Sequence, residues 1–181
     1  MLIDKNNSCL LITDVQENLT PAMKCPRDVI DGSARLAKGA KLLHVPVIAT
    51  EQYPKGLGRT MFDVRTALDD SDFFEKKSFS SAAQDGFMQR LESLSKKQIV
   101  LTGVEMHVCV LQTAVELKEK GYFPFVVENA VSSRYDRDFE AAKTRLILEK
   151  IPLVTVEMVL FEWLRTADAP EFKQIRAQLI F

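Results

Sequence analysis

The sequence predicts an α/β fold of three layers, α/β/α, with a mostly parallel, Rossmann-like central sheet. Two observations lead there. Short β-rich runs alternate with longer amphipathic segments along the chain, the pattern of strands joined by crossover helices. No internal repeat, low-complexity tract or linker interrupts the 181 residues, a length that suits one domain spanning 1–181 with a full core.

The elements follow in order. Cys9-Leu-Leu-Ile-Thr-Asp14 is the first strand. From Val29 to Leu43, Ile30, Leu36, Ala37, Ala40 and Leu43 recur at helical spacing. Val45-Pro-Val-Ile-Ala-Thr50 is a second strand, with Pro46 near its start where a missing N–H is tolerated. Pro54 and Gly56-Leu-Gly58 make Glu51–Ser81 a long irregular insertion, and such loops in compact domains are usually functional. A short helix over Phe87–Leu94 and a strand over Gln98–Thr102 come next. A helix from Cys109 to Lys120 is closed by Gly121. Phe123–Glu128 is a strand and Asp138–Lys150 a helix. Leu153–Val156 is the last strand, and Glu171–Leu179 a closing helix. In open parallel sheets ligands bind at the carboxyl ends of the strands. Asp14, Glu51 and the Glu105–Cys109 turn all end strands, so the fold gathers them at one edge.

Composition narrows the function. Hydrophobic content of 46% and charged content of 27% are ordinary globular values. A net charge of −1 gives no electrostatic reason to expect a nucleic-acid or membrane partner. No apolar run approaches the roughly 20 residues of a membrane span, and the N-terminus lacks the layout of a signal peptide. Three cysteines without tight spacing make neither a disulfide framework nor a zinc site. A reducing cytoplasm is the expected location.

The most informative stretch is Thr102-Gly-Val-Glu-Met-His-Val-Cys109-Val110. An apolar strand feeds a turn, and a helix starts near a thiol. A helix N-terminus lowers a cysteine pKa and can cradle an oxyanion. A cysteine nucleophile also needs a base and a means of holding charge on the attacked carbonyl. Asp14 closes an otherwise apolar strand, where a carboxylate is costly unless capping, paired or used. Lys76 and Lys77 precede Ser78-Phe79-Ser80, and either could pair with Asp14. Cys9 and Cys25 read as core or loop thiols and His44 as structural. His107, Tyr53, Phe79 and Tyr135 could line a pocket or simply pack. Glu128-Asn129-Ala130 ends a strand at the same edge, and Trp163 reads as packing a subunit or domain surface.

Asp14 after the first strand, Lys76-Lys-Ser-Phe79-Ser80 and Gly103-Val-Glu-Met-His-Val-Cys109-Val resemble the isochorismatase-like cysteine hydrolases. That pattern has an Asp, a Lys three residues before a Tyr or Phe that precedes Ser, and a Cys in a Gly-x5-Cys-Val turn. Thr50-Glu-Gln-Tyr-Pro-Lys-Gly-Leu-Gly58 and the segment from Phe161 to Lys173 are similar to the subgroup of isochorismatase domain-containing proteins. The resemblance implies that Cys109 attacks a carbonyl, Asp14 shuttles protons and Lys76, one register step from Lys77, holds the dyad. It implies an oxyanion hole of backbone N–H groups near Glu105 and Cys109, at a cis Val104–Glu105 peptide. Candidate substrate contacts are Gln16, Gln52, Tyr53, Phe79 and His107.

The departures matter too. Family members with a metal carry Asp-x-His after the second strand; Glu51-Gln52-Tyr53 has no histidine, so neither a metal nor another cofactor is expected. Ether-cleaving members lack the cysteine, so Cys109 favours covalent hydrolysis of an amide-type C–N bond in a small molecule. The alternative is a non-catalytic oligomeric scaffold or small-molecule-binding protein that keeps the fold. A homo-oligomer is expected from the resemblance and from Phe161, Trp163, Phe172 and Phe181 near the C-terminus.

Overall fold

The structure, a computed structural model, describes residues 1–180. Strands β1 (Ser8–Thr13), β2 (Val47–Gln52), β3 (Phe73–Lys76), β4 (Gln98–Val104), β5 (Phe123–Ser132) and β6 (Leu153–Val154) form one parallel sheet in the order β3-β2-β1-β4-β5-β6. Alternation along β1 feeds two cores. Leu10 and Ile12 pack on α1 (Pro26–Leu42) and α7 (Val156–Leu164). Cys9 and Leu11 face α4 (Phe87–Ser93), α5 (Leu111–Glu119) and α6 (Asp136–Leu148). The three-layer α/β/α arrangement is therefore as the strand–helix alternation predicts. Strand order reverses between β1 and β4, and the crevice at such a switch point is where open α/β sheets bind ligands.

Several boundaries differ from the sequence reading. Helix α1 starts at Pro26, whose fixed φ and missing N–H suit the first turn. Strand β2 begins at Val47, and Pro46 serves from outside by accepting a bond from Leu10 N (2.9 Å). Strand β5 runs on to Ser132 past a register shift opposite Leu101–Gly103. Glu128, Asn129 and Ala130 therefore lie within it: Glu128 pairs with Lys143 (2.5 Å) and Asn129 Oδ1 accepts from Val156 N (2.9 Å). The long insertion contains two single-turn helices, α2 (Pro54–Leu57) and α3 (Phe62–Arg65), and it contains β3, a four-residue edge strand.

Helix α7 was not anticipated at all. Its buried residues Val156, Val159, Leu160, Trp163 and Leu164 recur at helical spacing with Glu157 and Glu162 on the other face, and Thr155 caps it by accepting a bond from Met158 N (3.2 Å). Trp163 consequently lies wholly inside this chain's own core rather than on a subunit or domain surface. The last helix is split into α8 (Phe172–Ile175) and a π-helical turn at Arg176–Ile180. Phe181 lies outside the described residues.

Gly103 sets how closely β4 approaches β1. Its φ is +108°, and a Cβ there would lie 1.9 Å from the Thr13 carbonyl oxygen. Gly121 also has positive φ (+81°), but nothing lies within 4 Å of where its Cβ would be. The contrast separates backbone strain from backbone collision. Gly103→Ala should cost about 3 kcal/mol or more, a midpoint drop of roughly 6–12 °C in a chain of this size. Gly121→Ala should cost about 1 kcal/mol. Calorimetry on both decides it: similar modest losses would show that the strand approach is not the constraint.

Candidate active site

Asp14 follows β1 in a left-handed conformation (φ 52°), wholly buried, its N–H donating to the Thr50 carbonyl (3.2 Å). Its Oδ1 accepts from the Thr50 hydroxyl (2.7 Å) and its Oδ2 from Lys76 Nζ (2.7 Å). Neither charged side chain has any exposed surface. Lys76 reaches Asp14 because β3 lies beside β2 with Lys76 opposite Gln52. Nζ also donates to Gln52 Oε1 (2.7 Å) and to the carbonyls of Ser78 and Phe79 (both 3.1 Å). Lys77, pointing the other way, is exposed.

Cys109 enters from β4. After Val104 and a cis Val104–Glu105 peptide the chain makes a π-helical turn, Met106–Val110, before α5. The Glu105 carbonyl accepts from both Val108 N (3.1 Å) and Val110 N (3.2 Å). The Cys109 thiol, 6% exposed, lies close enough to the Asp14 carboxylate and the Glu105 backbone for both to act on its ionisation. Asp14, Lys76 and Cys109 are thus one contiguous cluster.

The electrostatics reverse one expectation. Position at a helix start suggests a lowered cysteine pKa, yet Cys109 is pushed up to about 12. Burial is the main cause and the neighbouring Asp14 carboxylate adds to it; Lys76 and the Glu105 backbone pull only partly back. Burial also raises Asp14, against the pull of Lys76, Thr50 and Cys109. The resting arrangement is a neutral thiol beside a carboxylate more basic than an exposed aspartate. Cys9, fully buried, is likewise raised to about 12 by burial, and Cys25 is exposed just before α1.

The other predicted site residues divide. Gln16 is wholly buried and its amide is spent on backbone: Oε1 accepts from Gln52 N (2.7 Å), and Nε2 donates to the carbonyls of Gln52 (3.0 Å) and Gly58 (2.7 Å). Its amide thus ties the end of β2 to the insertion. Gln52 is committed too, accepting from Lys76 and donating Nε2 to the Lys77 carbonyl (2.7 Å). Amide side chains serve backbone as readily as ligands, and sequence does not distinguish the two.

Tyr53 and Phe79, more than half exposed, flank Lys76 through their backbones; Tyr53 N donates to the Lys76 carbonyl (3.0 Å). A 460 Å³ cavity opens there, lined by Tyr53, Pro54, Lys55, Glu75, Lys76, Lys77 and Gln84. His107, partly exposed, holds Ser133 Oγ at 2.9 Å through Nδ1. Tyr135 is exposed and stacked by Arg137, and His44 lies exposed at the end of α1. Glu51 faces the insertion, where its Oε1 accepts from Thr60 N (2.7 Å) and Oγ1 (2.8 Å).

Thr50 and Arg134 were missed. Thr50 reads as an ordinary β-branched strand residue, though its pairing opposite Thr13 puts it beside Asp14. Arg134 Nε bonds Glu105 Oε2 (3.0 Å), fixing the turn from β5, and no spacing in the sequence signals that.

The isochorismatase domain model matches residues 8–158. Isochorismatase domain-containing protein 1 of Danio rerio is 37% identical over 171 residues, covering 93% of this chain and 59% of that protein. The chain thus spans about three-fifths of that relative's length. Isochorismatase domain-containing protein 2 of Xenopus laevis is 35% identical, covering 96% of this chain and 84% of that protein. A solved structure described as MAR1 ribonuclease from Caenorhabditis elegans superposes with a TM-score of 0.93 at 34% identity, covering 100% of this chain and 93% of that one.

Removing one member of a buried ion pair strands the other charge. Lys76→Met should therefore cost about 3–5 kcal/mol in urea unfolding. The double variant Asp14→Asn/Lys76→Met should cost clearly less than the sum of the singles. Lys77→Ala should stay within about 0.5 kcal/mol. Strict additivity across the cycle would mean that the two charges are not coupled.

Proposed function

The chain belongs to the isochorismatase domain family, and on that premise we propose that it is a metal-independent cysteine hydrolase of small amide-like substrates. The family's hydrolase fold supports the hydrolytic class. The observation that carries the finer reading is the buried Cys109 thiol beside the buried Asp14–Lys76 pair, in which burial raises the basicity of Asp14.

Asp14 takes the thiol proton as sulfur attacks the substrate carbonyl carbon. The carbonyl electron pair moves to oxygen, which backbone N–H groups at the Glu105–Cys109 turn stabilise. Collapse expels the amine, protonated by Asp14, and leaves a thioester on Cys109. Asp14 then deprotonates water, which attacks the thioester; the carboxylic acid leaves and the thiol regains its proton. Lys76 stays cationic throughout and keeps Asp14 oriented while the carboxyl alternates between charged and neutral. A preformed thiolate is not required, because the base sits against the thiol. Metal independence rests on the residues at the end of β2: Glu51 is bonded to Thr60 and Gln52 to Lys76.

RNA is the competing substrate class, since the nematode neighbour bears the name ribonuclease. The net charge of −1 supplies no long-range attraction for a phosphate backbone. Homo-oligomerisation belongs to the same reading. Trp163 no longer supports it, but Phe161 and Met158 leave more than 40% of their surface exposed on α7.

A screen of small amides should find release of amine or ammonia that persists in EDTA and falls roughly 10³-fold or more in Cys109→Ala. Hydrolysis of RNA that survives Cys109→Ala, or amide turnover lost to EDTA and restored by a divalent ion, would overturn the proposal. Asp14 must be ionised to accept the proton, and its pKa is raised, so acidification should slow the reaction above the ordinary carboxylate range. A rate flat down to pH 4 would remove Asp14 as the base. Light scattering at micromolar concentration should give at least twice the monomer mass; a clean monomer would defeat the assembly claim.

A further inference from the structure

Lys76 has more bonding partners around Nζ than an ammonium has protons: Asp14 Oδ2, Gln52 Oε1 and the carbonyls of Ser78 and Phe79. Two of these, Asp14 and Gln52, lie at 2.7 Å, and Gln52 is the uncharged member of that close pair. The other end of the Gln52 amide donates to the Lys77 carbonyl (2.7 Å), so one side chain ties the lysine's ammonium to the backbone that follows β3. Behind it, Gln16 bonds both the N–H and the carbonyl of Gln52, and its remaining proton goes to the Gly58 carbonyl. A continuous path of hydrogen bonds therefore runs from the insertion at Gly58 through Gln16 and Gln52 to Lys76 and Asp14.

We infer that Gln52 is a positioning residue, which holds the Lys76 ammonium against Asp14 and, with Gln16, makes that position depend on the seating of the Tyr53–Asp72 insertion. This rests on the reading of Asp14 as the base that deprotonates Cys109. An ammonium free to swing toward the Ser78 and Phe79 carbonyls would leave Asp14 less well paired. A neutral amide opposite Asp14 locates the cation without competing for it, whereas a carboxylate there would compete. The ionisable groups facing the amide are Lys76 and, through it, Asp14 and Cys109. Glu51 is turned to Thr60, and Glu75 and Lys77 are exposed.

The test needs no substrate. Alkylation of Cys109 by iodoacetamide, followed by peptide mass spectrometry across pH 4–8, reads how readily the thiol gives up its proton. Four forms of the full chain are compared: wild type, Asp14→Asn, Gln52→Glu and Gln52→Leu. Asp14→Asn should abolish the plateau above the acid limb, the Cys109 alkylation rate then rising steadily with pH across the range. Gln52→Glu keeps an acceptor for Lys76 but adds a negative charge near Asp14, which raises the Asp14 pKa. Its acid limb should move upward by at least half a pH unit. Gln52→Leu should lower the plateau rate several-fold; if it fails to fold, the near-isosteric Gln52→Glu carries the test alone.

A role confined to folding would change the unfolding midpoint and leave the limb in place. Wild-type rates and limb in folded Gln52 variants, with the plateau still lost in Asp14→Asn, would overturn the positioning role and spare the mechanism. A plateau that survives Asp14→Asn would overturn the mechanism and the positioning role with it.

Discussion

Two opposite charges with no solvent-exposed side-chain surface, Asp14 and Lys76, lie 2.7 Å apart at the carboxyl edge of the sheet, and the surroundings are arranged to tolerate them. Hydration lost by burial has to be replaced atom by atom. Thr50 covers the second carboxylate oxygen, and Gln52 with two backbone carbonyls covers the ammonium. Even the turn supplying those carbonyls is held for the purpose: Gln84 Oε1 collects the N–H groups of Lys77 (2.8 Å) and Ser78 (3.2 Å). The register of β3 against β2 and the path of the insertion follow from the need to keep this pair intact.

The pair also decides what kind of nucleophile Cys109 can be. A thiol at the start of a helix is often a thiolate in waiting, stabilised by positive surroundings. Here the nearest cation is already matched by a carboxylate, which presents its negative charge to the sulfur. Burial and that charge together keep the thiol protonated at neutral pH. In the proposed mechanism, ionisation of the sulfur is coupled to arrival of an electrophile, since charge leaves Asp14 only as it develops on sulfur and then on the substrate. The price is a thiol of low spontaneous reactivity.

How much of this could be read from the chain depends on the kind of signal each part leaves. Asp14, Lys76 and Cys109 stand out because each is a reactive side chain at the end of an apolar run or at a recognisable spacing. Strands β1 and β4 were visible as continuous apolar runs, as doubly covered strands should be. Strand β3 was not, because Phe73-Phe-Glu-Lys76 is short and pairs on one side only. Helix α7 went unread although Val156, Val159, Leu160, Trp163 and Leu164 carry a helical period, and Trp163 was misplaced as a result. The glutamines were recognised as polar residues near the site but assigned to a substrate; that their amides are consumed by the protein itself is a fact of tertiary geometry. The pKa of Cys109 failed for the same reason: helix position is local, while burial and a carboxylate from another strand are not.

The edge strand has a consequence for how the site comes apart. Asp14 and Cys109 are anchored at the ends of β1 and β4, adjacent inner strands paired over six residues, whereas Lys76 rides on four residues bonded to β2 alone. Local opening begins where pairing is short and one-sided. Fraying of β3 carries the ammonium away and leaves the carboxylate and thiol where they were, buried and newly repulsive to any negative charge. The periphery of the sheet thereby controls the electrostatic state of its centre, and in the proposed mechanism Asp14 loses its orienting partner before the molecule loses its shape.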